Sequence, residues 1–184
     1  DLGTGAIDDG AGVGITMAAA KLILDAGKRP RRTIRLVLWG AEEQGIHGGK
    51  AYLKRHRTEL RNHMLASESD FGAGLIWQIT SRVSDEGQPV IDLMSTLLNP
   101  LGIVQGGEDV AVSGPDLYPM INAGLPSFSF RQDGTRYFDV HHTANDTLDK
   151  IDPKALDQNA AAYAVFAWLV AETTVNFWSM NEPN

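Results

Sequence analysis

Along its whole length the chain alternates short apolar runs rich in β-branched and aromatic residues with longer runs of helical period. That alternation leaves few architectures open. Residues 33–39, TIRLVLW, are too few for a stable helix and apolar enough for a buried strand. Residues 63–69 (HMLASES), 74–80 (GLIWQIT) and 125–130 (LPSFSF) read the same way. Helical segments are expected at 11–27, closed by Gly27, at 48–56, and at 89–102, closed by Asn99, Pro100 and Gly102. A last helix is expected over 154–178, with Asp152 as its cap and Pro153 at its first position. Residues 113–124 read as a loop with a short helix, and 131–152 as a long polar loop of the kind that carries function. Strand–helix alternation predicts an α/β fold, a three-layer α/β/α sandwich around a mixed, largely parallel sheet. No repeat or linker interrupts residues 1–184, which are expected to form a single domain or a large part of one.

Composition narrows the chemistry. With 43% hydrophobic and 21% charged residues the chain has the makings of a packed core, which argues against disorder. Its 23 acidic against 16 basic side chains give a formal charge of -7, the wrong sign for a nucleic-acid groove. Cysteine is absent, so any metal must be held by His, Asp and Glu. No apolar run reaches the length of about 18 residues that a membrane helix needs. The opening DLGTGAIDDGAG lies inside a glycine-rich loop without an initiator Met, and reads as a piece of a longer precursor.

In open α/β sheets, sites gather at the carboxyl ends of the strands. This sequence puts acids and histidines there: Asp8 and Asp9 before the first helix, Glu42 and Glu43 after TIRLVLW, Glu68 and Asp70 after HMLA, and His141 and His142 after the last strand. Each cluster has an ordinary reading. Asp8 or Asp9 could cap a helix, Glu42 and Glu43 could start one, and the remaining acids could be solvated loop. Together they would repel one another unless a cation neutralised them. Carboxylates and imidazole without thiolate suit zinc, and manganese or cobalt less well. Adjacent glutamates further allow one to hold metal while its neighbour moves a proton, the arrangement for metal-assisted hydrolysis.

Four motifs in order, GAIDDGAG, WGAEEQG, ESD and HHTANDT, resemble the dizinc exopeptidases of metallopeptidase family 28, and within it the carboxypeptidase Q branch. The likeness runs from residue 1 to about residue 172. It implies the zinc-dependent exopeptidase fold and hydrolysis of terminal peptide bonds in dipeptides or short peptides through a metal-activated water. It implies that Asp8 bridges two zinc ions, that Glu43 and Asp70 each bind one, and that Glu42 is the general base. His142, directly before Thr143, matches the ligand position better than His141. Asp9 and Asp146 fall behind the ligands, Asp9 at an unusual peptide geometry and Asp146 orienting an imidazole. Asp116, Tyr118 and Tyr137 are candidates to line the substrate pocket.

The family also places a histidine ligand upstream of the bridging aspartate, and no His precedes Asp8 here. The resemblance therefore implies that this is the C-terminal part of a catalytic domain lacking its N-terminal strands, with an incomplete metal centre and no activity on its own. It implies an exported protein (periplasmic, extracellular or lysosomal), with a peptide as partner and a homodimer permitted. Competing readings are a single-zinc glutaminyl cyclase-like acyltransferase, a binding domain of the same fold that has lost catalysis, and a purely structural α/β domain. Metal content and turnover of dipeptides separate them.

Overall fold

A computed structural model describes residues 3–107 and 113–178. Its helices are α1 (Ala11–Asp25), α2 (His47–His56), α3 (Gln88–Leu98), α4 (Tyr118–Ile121), α5 (Tyr137–Val140) and α6 (Pro153–Glu172). Its strands are β1 (Ile76–Arg82), β2 (Val104–Gln105) and β3 (Ser127–Gln132). They pair in the order β2-β1-β3, parallel between β1 and β2 and antiparallel between β1 and β3. A parallel bridge from Ala66 to Ser127 continues the pairing on the far side of β3. The sheet is therefore mixed, as the sequence implies.

Local chemistry sets the helix starts. Asp152 accepts the Lys154 amide at 2.9 Å and Pro153 follows it, so α6 begins where sequence places it. Pro89 stands in the first turn of α3, where its missing N–H leaves no gap in the ladder. The main core forms where α1, α3 and α6 meet the sheet, around Ile15, Ile76, Ile79, Met94, Leu98 and Phe128, all fully buried. Phe128 stacks on Phe166 with centroids 4.9 Å apart, and Phe130 lies 4.4 Å from Tyr163. Burying each such side chain contributes roughly 1.5–3 kcal/mol. A second core under α2 and α4 gathers Leu60, Leu117, Met120, Ile121, Leu125 and Trp178. At the end of β3, Gln132 donates to Gly72 O at 2.9 Å and to Asn159 Oδ1 at 2.7 Å, fastening the 70–72 turn to α6.

The structure departs from sequence expectation in five places. Residues 33–39 form no strand among the described residues, and residues 63–69 contribute only the bridge at Ala66. Both segments line one cavity of about 930 Å3, and no strand pairing joins them among the described residues. An apolar extended sequence becomes a strand only where a neighbour accepts its hydrogen bonds, and Ile34, Leu36 and Leu38 stay partly exposed. The last helix ends at Glu172 rather than at 178, because Thr173 leaves helical geometry and its amide closes on Leu169 O. The polar loop holds the single turn α5, and the short β2 follows α3. No described helix is long and apolar enough to cross a membrane.

Candidate metal centre

Three turns and one loop bring the acidic clusters together. The turn before α1 carries Asp8 and Asp9, joined by a cis peptide bond. Asp146, fully buried, fixes that turn: its two carboxylate oxygens accept the amides of Ile7 at 2.6 Å and Asp8 at 3.1 Å. Asp146 thus acts on the backbone of Asp8, where the resemblance implied that it orients an imidazole. Asp9 turns its carboxylate to the start of α1 and accepts the Gly12 amide at 3.0 Å.

Asp8 is the meeting point. Its Oδ2 lies 3.1 Å from His142 Nε2 and 3.4 Å from His141 Nε2, and His142 Nε2 lies 2.9 Å from Glu43 Oε1. One ligand atom from each of Asp8, His141 and His142 can be chosen so that all lie within 4.8 Å of one another. Asp8 Oδ2 is buried and receives no hydrogen bond despite those two nitrogens beside it. A buried carboxylate oxygen beside two imidazole nitrogens offers a cation donors of the right kind. The donor set, two imidazoles and carboxylates without sulfur, fits zinc. His141, set aside by the motif, stands as close to Asp8 as a ligand would; nothing in its sequence context distinguishes it from an ordinary stacking partner of Tyr137 and His142.

Electrostatics follow from the crowding. Burial, then Glu43, pushes the Asp8 carboxyl up, while both histidines pull it down. Burial and then Glu43 raise Glu42. Asp70 is pushed up to about 7 by burial and then by Asp8 and Glu42. Asp9 reaches about 8, through burial and Asp70, against the pull of the Gly12 amide. Glu68 also reaches about 8 through burial, although the amides of Leu117 and Asp116 oppose the rise. Asp70 thus shares the field of Asp8, Glu42 and Glu43 without joining the tight group at Asp8.

These shifts have a sign for stability. Unfolded carboxyls titrate near about 4, so between about pH 4 and pH 8 the folded, metal-free chain binds more protons than the unfolded one. Its stability therefore falls as pH rises through that window. Zinc reverses the trend, because its ligands must be deprotonated. Thermal unfolding in chelator is expected to give a lower Tm at about pH 8 than at about pH 5.5, with zinc raising Tm more at the higher value. A Tm in chelator that climbs with pH over this range would contradict the assignment.

The three pocket candidates fall into different settings. Tyr118 is 39% exposed at the start of α4, outside the residues that line the cavity beside Asp8 and Glu42. Asp116 is 3% exposed and accepts the Gly49 amide at 3.2 Å, so it is engaged inside the protein. Tyr137 is buried, stacked on Phe71 at 4.6 Å, and its hydroxyl is pushed up by burial and then by Asp8. The cavity of about 930 Å3 opens among Asp8, Glu42, Glu43, Asp70 and Asp116.

Known proteins share this pattern. The family model described as Peptidase family M28 matches residues 1–167. Carboxypeptidase Q of Rattus norvegicus is 40% identical over 172 residues, covering 94% of this chain and 36% of that protein. The Homo sapiens carboxypeptidase Q is 40% identical over 175 residues with the same coverage. The chain thus spans about a third of the length of these curated relatives. A crystal structure of a Peptidase M28 precursor from Shewanella amazonensis superposes with a TM-score of 0.93 at 53% identity, covering 100% of this chain and 41% of that one. Sequence match, fold and converging acids agree, and the chain belongs to peptidase family M28.

Proposed function

We propose that this chain carries the metal-binding and proton-transfer groups of a zinc-dependent exopeptidase that removes terminal residues from dipeptides or short peptides. The observation that carries the reading is the unsatisfied, buried Asp8 Oδ2 with His142 at 3.1 Å, itself 2.9 Å from Glu43. Asp8, Glu43, Asp70 and His142 are the proposed ligands, with His141 near enough to compete for the last place. When bound, zinc supplies an electrophile for the scissile carbonyl and a water acidic enough to attack near neutral pH.

The protein side chains do the rest. Glu42, partly exposed beside Glu43, takes a proton from the attacking water and returns it to the nitrogen of the leaving amine. In the metal-free chain, burial and then Glu43 raise the proton affinity of Glu42. Asp146 holds the Asp8 backbone, and Asp9 anchors the same turn to α1. Of the pocket candidates, Asp116 lines the cavity beside Glu42 and Glu43, and Tyr118 is the exposed one outside it.

A polypeptide of the relatives' length that contains this chain is the material for the test. It is expected to hydrolyse dipeptides with free ends, to stop in chelator and to recover with zinc. Acetylating the amino end or amidating the carboxyl end tells which terminus it reads. Turnover of glutaminyl peptides to cyclic products without hydrolysis, or zinc binding with no turnover, would overturn the proposal in favour of an acyltransferase or a binding domain.

A further inference from the structure

Glu68 takes no part in the chemistry above, yet each of its polar groups is engaged. Its amide donates to Ser113 Oγ at 2.8 Å and its carbonyl accepts the Tyr163 hydroxyl at 2.7 Å. Its two carboxylate oxygens accept the amides of Asp116 at 3.2 Å and Leu117 at 3.0 Å. Glu68 stands two residues before Asp70. It therefore ties the Asp70 segment to α6 on one side and to the 113–117 loop on the other.

That loop reaches further. Asp116 accepts the Gly49 amide in the first turn of α2 at 3.2 Å. The turn leading into α2 is closed by the amides of Gly45 and Ile46 on Glu42 O, at 2.8 and 2.7 Å. A Cβ on Gly49 would lie 2.2 Å from the backbone oxygen of Asp116, so that position needs glycine for close approach, and one on Gly114 would lie 2.5 Å from Glu68 Cδ.

We infer that Glu68 is a positioning residue, which sets the separation of Asp70 from the Glu42–Glu43 turn through Asp116 and Gly49. The inference rests on the proposed metal centre for its functional meaning and on the hydrogen bonds alone for its structural one. A carboxylate is suited to the task because its two oxygens can take two successive amides of a turn at once. Supporting groups of this kind are typically worth about 10- to 100-fold in metal affinity.

The test compares Glu68→Ala, Glu68→Gln and Asp116→Ala in a polypeptide of the relatives' length that contains this chain, by amide hydrogen exchange and by zinc titration against a chromogenic chelator. Glu68→Ala is expected to speed exchange at Asp116 and Leu117, and also at Gly49, Gly45 and Ile46, while α6 keeps its protection. Zinc affinity should fall by about 10-fold or more, and Glu68→Gln, which keeps one acceptor oxygen, should restore part of both. Asp116→Ala should reproduce the change at 45–49 without the change at Leu117, and it carries the test if Glu68→Ala does not fold. Faster exchange confined to Asp116 and Leu117, with Gly49, Ile46 and zinc affinity unchanged, would overturn the inference and leave a local loop anchor. If the unaltered polypeptide of the relatives' length binds no zinc, the metal reading fails, and exchange at Gly49 and Ile46 still decides whether the linkage exists.

Discussion

Replacing Glu42 by Gln in a relatives'-length polypeptide is expected to leave zinc bound and to lower kcat by about 100-fold or more. The amide keeps the shape of the side chain and removes its ability to take a proton, so a steric account would expect little change. The magnitude follows from what a positioned acid–base group usually contributes, roughly 10²–10⁴-fold. KM should change far less, because Glu42 is assigned no ground-state contact with the peptide. Steady-state kinetics with zinc content measured on the same sample decide it. Turnover near the unaltered rate would remove Glu42 from the base's role. The same loss accompanied by loss of zinc would make it a ligand, leaving Glu43 as the candidate base.

Replacing Asp8 by Ala is expected to abolish tight metal binding rather than merely to slow turnover. Its Oδ2 is the atom on which both imidazoles converge, at 3.1 and 3.4 Å. Losing a direct ligand should cost more than the 10- to 100-fold typical of a supporting group, so affinity should fall by more than about 100-fold. The metal-free variant also loses a crowded, partly buried carboxyl whose ionised form is disfavoured by burial and Glu43. It should therefore be at least as stable as the unaltered chain in chelator, and less stable in zinc, which calorimetry with and without metal would show. A variant that unfolds in chelator would mean that Asp8 holds the fold rather than the ion.

Much of this was legible from residue types and order. Helix α6 announces itself through Asp152, Pro153 and its period, and α1 and α3 through theirs, because caps and periodicity are local signals. Phe128 and Phe130 mark β3 for the same reason, though the strand runs on to Gln132. Residues 33–39 misled, since a strand is a relation between two backbones and the sequence shows only one of them. At the site, the clusters and the base–ligand division between Glu42 and Glu43 could be proposed from motifs. The proximity of His141 to Asp8 could not, because it depends on how the turn after α5 aims two neighbouring rings. Nor could the partners of Asp146, Asp116 and Glu68: each accepts backbone amides from segments 48 to 139 residues away, and amides carry no sequence signature.

Zinc content per chain, measured by elemental analysis after dialysis, tests the central claim most directly. The 184-residue chain and a polypeptide extended to the relatives' length would be measured side by side. Zinc near two ions per extended polypeptide, with clearly less in the shorter chain and none after Asp8→Ala, is the expected result. No zinc in either protein would contradict the metal centre and leave the converging carboxylates without their counter-ion.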